Sequence, residues 1–178
     1  ADGMVFQRDM PINVFGTCRK IGAEIKVTLD GETVIAIVDA TGNFKATFAA
    51  RSAAKGLTLT VEQLGVDIPT VFTYNDVAIG EVIVISGQSN AAYELYKMED
   101  SAEYIANADN YSSIKVFRSP TKYEFYEVEQ GIGSWYTVTS ELLKKSNQAS
   151  SAEMFPLSDT FSPREWQMSL EMTLLSLS

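Results

Sequence analysis

The chemistry that this chain can do is concentrated in residues 80–90, GEVIVISGQSN, where Ser89 sits between Gln88 and Asn90. A small-residue turn from a buried strand into a helix can hold a serine hydroxyl at the carboxyl edge of a sheet. There the helix N-terminus offers free N–H groups and the positive end of its dipole. The same donors can stabilise the oxyanion of an acyl-transfer intermediate. Gly87 permits a sharp turn and leaves room for a substrate. Ordinary helix capping explains the same residues, since Ser89 and Asn90 both accept hydrogen bonds from first-turn N–H groups. On residue types alone both explanations stand.

Other candidate groups are few. The 178 residues contain no histidine, so the usual base for a serine nucleophile and the commonest metal ligand are both missing. Cys18 is the single cysteine, which excludes an internal disulfide and a thiolate zinc cluster. It is expected as a small, half-buried residue in a strand-to-turn region. Asp39, Asp67, Asp76 and Glu81 have no paired spacing and are expected in turns or on solvated faces. Tyr93, Tyr96 and Trp135 have two explanations, stacking on a sugar face or packing at the core and rim.

The elements that must position Ser89 follow from patterning. Residues 11–16 (PINVFG) and 24–29 (EIKVTL) alternate apolar with polar side chains, and Asp30-Gly31 is a two-residue hairpin signal into 32–38 (ETVIAIV). Residues 39–43 form another turn, and strands follow at 44–48 and 57–61. This spacing predicts an antiparallel β-sandwich over residues 1–75. The pattern then changes. Residues 82–85 (VIVI) are a continuous apolar run, as in a strand of a parallel sheet buried on both faces. Residues 91–98 (AAYELYKM) suit a helix, and 114–117 (IKVF) suit a second strand. Ser162-Pro163-Arg164-Glu165 has the form of a capping box, with Trp166, Leu170, Leu174 and Leu177 on one face of the helix it would open. Residues 76–178 are therefore expected to begin an α/β domain.

Composition sets limits. Hydrophobic residues are 46% and charged residues 21%, the balance of a packed protein. The net charge is −9 with no basic run, which argues against nucleic acid as a partner. No stretch approaches the roughly 18 apolar residues of a membrane span. The start carries no signal-peptide pattern.

Residues 80–90 resemble the nucleophile block of the sialate O-acetylesterase family, G-E-V-W-x-x-S-G-Q-S-N. That family belongs with the SGNH-type hydrolases and lies near the acetylxylan esterases that share G-Q-S-N. Residues 4–16, MVFQRDMPINVFG, are similar to the M-V-L-Q-R-x-x-P-I-x-V-W-G signature that opens the family's accessory β-sandwich. The two signatures stand in the family's order and at a comparable distance. Residues 114–117 match the family's next strand, while Trp135 and Phe161-Ser162 sit where a later tryptophan and helix start are expected. Phe15 and Ile83 replace tryptophans, and Ala91 replaces the methionine after G-Q-S-N. Residues 142–157 follow no pattern of the family.

The resemblance implies a β-sandwich followed by the start of an SGNH-like α/β/α domain, flavodoxin-like, with a parallel sheet. It implies that Ser89 is the nucleophile that attacks an acetyl ester on a sugar, its own N–H being one oxyanion donor, with Gly87, Gln88 and Asn90 shaping the loop. No metal or organic cofactor is implied. The partner is an O-acetylated sugar or polysaccharide, and the location is secreted or periplasmic. The family's downstream Asp-x-x-His has no match, so the chain is expected to be the family's N-terminal portion. With few parallel-type strands, it is expected to self-associate or to have the open sheet edge covered by a missing C-terminal part. The alternative is a non-catalytic carbohydrate-binding or structural module that retains the serine loop as a relic.

Overall fold

The computed structural model describes residues 1–67, 69–85, 95–118 and 134–144, and the backbone of 173–177. Contacts divide the chain into two compact units, residues 1–81 and 82–177.

The first unit is built from strands. They are β1 (Val5–Gln7), β2 (Ile12–Thr17), β3 (Glu24–Leu29), β4 (Glu32–Ile37), β5 (Asn43–Phe48), β6 (Ala54–Gln63) and β7 (Val71–Ile85), whose last residues pass into the second unit. One sheet runs in the order β4-β3-β6-β7, with β1 also on β7, while β2 and β5 form a second sheet. The expected hairpin is present. Asp30 (φ 49°) and Gly31 (φ 85°) both have positive φ, as a two-residue type I′ turn demands. The pairing from Leu29↔Glu32 to Glu24↔Ile37 follows in register. Arg51 buttresses the turn by donating to the Leu29 carbonyl at 3.3 Å and to the Glu32 carboxylate.

Alternation turns one face of each sheet inward. Ile12 and Val14 of β2, and Phe44, Ala46 and Phe48 of β5, share one buried cluster with Ile25, Val27 and Leu29 of β3. Leu57 and Leu59 of β6 and Val77 and Ile79 of β7 complete it. Two sheets closed over one core make a β-sandwich. It departs from the fully antiparallel arrangement in one respect. β1 pairs with β7 in parallel, at Val5↔Ala78, Phe6↔Ile79 and Gln7↔Gly80. A three-residue strand that finds its partner some seventy residues away leaves no local trace of its direction.

The second unit holds β8 (Lys115–Arg118), β9 (Ser134–Thr137), β10 (Thr173–Leu177), α1 (Ser101–Asn107) and α2 (Ser140–Lys144). Its described strands run in the order β10-β8-β9. Both pairings of β8 are antiparallel, from Lys115↔Thr137 to Arg118↔Ser134 and from Lys115↔Ser176 to Arg118↔Thr173. This corrects the parallel sheet expected around residues 114–117, and the described residues do not form an α/β/α sandwich. β8 has a neighbour on each side, which leaves β9 as the last described strand of that order. A second correction concerns the end of the chain. Residues 173–177 are a strand, although Leu174 and Leu177 suited a helix, and residues 162–172 of that expected helix lie outside the described residues. A short apolar run satisfies either period, and pairing with β8 decides it. Leu95, Ala108, Val116, Val138 and Leu143 form this unit's buried cluster.

Candidate functional site

Ser89, Gly87, Gln88 and Asn90 lie outside the described residues. What the structure gives is the frame at each end of residues 86–94. On one side β7 runs to Ile85, and Ile83 packs, half-buried, against the cluster of the second unit. On the other side Leu95 is 1% exposed in that same cluster. Ile83 and Leu95, on either side of residues 86–94, thus share one apolar cluster.

The helix expected over residues 91–98 is corrected where it can be seen. Leu95–Lys97 is a 3-10 turn, closed by the Met98 N–H on the Leu95 carbonyl at 2.9 Å, and residues 91–94 lie outside the described residues. The α-helix begins later, at Ser101, after Asp100 in the left-handed region (φ 64°). Its carbonyl accepts the Glu103 N–H at 3.0 Å, and its side chain makes no cap. The first turn of α2 has a better defined start. Thr139 Oγ1 accepts the Leu142 N–H at 3.1 Å, and the Asp109 carboxylate accepts the Ser140 N–H at 2.7 Å.

The other sequence candidates fall apart spatially or into turns. Asp39 accepts the Thr41 N–H at 2.8 Å, the Thr41 hydroxyl at 2.6 Å and the Asn43 N–H at 3.0 Å. The Thr41 hydroxyl first, and then these backbone donors, hold its carboxyl below the ordinary carboxylate value. Asp67 and Asp76 are exposed. Cys18 is half-buried, as expected, its thiol donating to Gln63 Oε1 at 3.5 Å. It lines an open depression of about 500 Å³ with Thr17, Arg19, Ile21, Thr41 and Gly42. Trp135 pairs across β9–β8 with Phe117, ring centroids 5.4 Å apart and planes at 56°. That contact engages the indole in cross-strand packing. Tyr93 lies outside the described residues. Among the described residues, no group of three or more His, Cys, Asp or Glu could hold a metal ion.

One cluster gathers around Glu81, a carboxylate expected in a turn or on a solvated face. Gln7 Nε2 donates to Glu81 Oε2 at 3.1 Å and to the Arg8 carbonyl at 3.2 Å. Arg8 Nε donates to Asp9 Oδ2 at 2.7 Å and lies 3.8 Å from Glu81 Oε1. Its residues belong to the two signatures separately, which is why neither stretch revealed it alone.

The described residues define a sheet-rich protein, with a β-sandwich unit leading through β7 into a second unit of helix and strand. No protein-family model matches the chain, and no curated protein matches it. Among solved structures it is similar to a carbohydrate acetylesterase from Xanthomonas citri, with 27% identity and a TM-score of 0.71. The match covers 85% of this chain and 33% of that one, so the chain spans about a third of that structure's length. A glucan-utilisation-locus protein of Bacteroides ovatus, solved with a mixed-linkage heptasaccharide, matches at 15% identity and a TM-score of 0.30. That match covers 99% of this chain and 51% of that one. A likeness so low carries no argument.

Proposed function

We propose that this chain carries the accessory sandwich and the nucleophile segment of a serine carbohydrate O-acetylesterase. The observation that carries this is the likeness to the Xanthomonas citri carbohydrate acetylesterase over 85% of the chain. The finer reading is the sialate O-acetylesterase type, and it rests on residues 4–16 and 80–90. Ser89 attacks the acetyl carbonyl of a sugar ester, and its N–H with neighbouring donors stabilises the oxyanion. The sugar alkoxide leaves with a proton, and water then attacks the acetyl-serine to release acetate. Both steps use a base that accepts and returns the proton, and this chain contributes no imidazole to that role. The substrate is an O-acetylated sugar, in a secreted or periplasmic setting.

The nucleophile is tested by supplying the missing base. The 178-residue chain is treated with p-nitrophenyl acetate in imidazole buffer, and peptide mass spectrometry locates the acetyl group. Acetylation is expected at Ser89, and it should be slowed by an O-acetylated sugar but not by the deacetylated form. Acetyl groups on lysines and tyrosines alone, with Ser89 unmodified, would overturn the assignment and favour the binding-module alternative.

A further inference from the structure

The larger sheet of the sandwich ends at β4, which pairs with β3 and with no other strand among the described residues. Its register fixes which of its backbone groups are used. The Val38 N–H donates to the Ala23 carbonyl at 3.0 Å, and the ladder goes on to pair Ala36 with Ile25, Val34 with Val27 and Glu32 with Leu29. Hydrogen bonding alternates along an antiparallel ladder, so these even-numbered residues turn their N–H and C=O groups toward β3. Thr33, Ile35 and Ile37 turn theirs the other way. β3 agrees with this phase, since its Glu24 carbonyl accepts the Leu64 N–H and the Asp30 N–H donates to Thr58, both toward β6. The same three residues of β4 put their side chains on the outer face, where Ile35 is 46% and Ile37 57% exposed. Sheet edges are commonly guarded by charge, proline or a bulge. β2 follows Pro11, and β5 carries the exposed Lys45. β4 has none of these, because its ladder is unbroken and its one charged residue, Glu32, is held by Arg51.

From this we infer that β4 is the surface through which two copies of this chain associate, strand against antiparallel strand about a two-fold axis at Ile35. The phase of the outward groups selects that register. Complete overlap of the two strands would set Glu32 against Ile37 of the second copy, an inward residue opposite an outward one, and no ladder would form. A shift of one residue sets Ile35 opposite Ile35 of the second copy, and Thr33 opposite Ile37 on both sides of the axis. Every outward N–H and C=O of the three residues then has a partner. The strand is complementary to itself in charge as well, because residues 33–37 carry none and no like charges are brought together. Ile35 and Ile37 of the two copies meet as one apolar stripe across the joined sheets, which takes exposed side chains out of water.

The test follows the full 178-residue chain by sedimentation velocity from about 10 µM to about 1 mM, the range of weak protein pairs. Wild type is expected to pass from monomer to dimer within it. Ile35→Lys and Ile35→Glu each set like charges against one another at the axis, and each should raise the dissociation constant about tenfold. Mixed in equal amounts, the two variants should dimerise again, since lysine then faces glutamate. Thr73→Lys adds a charge to the same outer face but on β7, away from the edge, and should leave association unchanged. Amide hydrogen exchange on wild type needs no substitution. The N–H groups of Thr33, Ile35 and Ile37 should slow several-fold as concentration rises through the transition. Those of Val34 and Ala36, already bonded to β3, should keep their rates. A monomer throughout the range, a dimer that both charged variants leave intact, or a mixture that stays monomeric would overturn the inference. So would loss of the dimer in Thr73→Lys, or exchange at Thr33, Ile35 and Ile37 that does not follow concentration.

Discussion

Asp39 shows how a single carboxylate can stabilise a turn without being buried. Three donors converge on one of its oxygens, and each of these hydrogen bonds favours the charged form. Its folded-state pKa therefore lies below its unfolded value of 3.8. The sign follows from linkage: the contribution is fully present above the unfolded pKa and is lost as pH falls through the folded one. Asp39→Ala is thus expected to lower Tm at pH 7, and the gap between variant and wild type should narrow as pH drops below about 4. Thermal unfolding at pH 7 and pH 3 checks this, and an equal gap at both would mean that charge has no part in it. The turn at residues 39–43 was legible from its residue types, as was the Asp30-Gly31 hairpin. The Gln7–Glu81 contact was not, because a bond between residues 74 apart follows from the packed fold and from no local pattern.

At the scale of elements, β2 and β5 depend on a glycine for a steric reason. Gly16 lies opposite Phe44, and a Cβ at Gly16 would meet Phe44 ring carbons at 2.9 Å. The ring lies over the bare backbone and fills the space a side chain would take. Gly16→Val is expected to destabilise by about 1–3 kcal/mol, the usual cost of overpacking a core. Adding Phe44→Leu should recover part of that loss, which urea denaturation of the single and double variants measures. A harmless Gly16→Val would remove the steric explanation. A contrasting change is Leu59→Ala on β6, where the side chain is 1% exposed and the cost is about 2–5 kcal/mol. Alternation made β2 to β6 legible, since each has one buried face and a period of two. Strand direction and the ambiguous run at 173–177 were not, because remote partners set them. β8 takes antiparallel neighbours on both sides, and β10 becomes a strand by pairing with it.

At the scale of the whole molecule, the strand-rich first unit was legible from patterning, while Ser89 lies outside the described residues and its proposed role rests on the motif. The chain spans about a third of the length of the acetylesterase structure it is similar to, and its 178 residues contain no histidine. A serine hydroxyl is a weak nucleophile near neutral pH and depends on a positioned base to take its proton. Lysine in its ordinary range is protonated at pH 7, and a carboxylate near its ordinary pKa is too weak a base to replace imidazole. In complete serine hydrolases, loss of one triad member still leaves roughly 10³- to 10⁴-fold catalysis over water, drawn from the oxyanion hole and substrate binding. With no histidine in the chain, any residual rate has to come from those donors alone. The 178-residue chain by itself is therefore expected to release acetate from O-acetylated sialic acid or acetylated xylan at most marginally faster than its Ser89→Ala variant. Following acetate over several hours at pH 7 and pH 9 separates the alternatives. A wild-type chain that turns over many times faster than the alanine form would show that a base other than imidazole serves Ser89, and the triad-type mechanism would have to be abandoned.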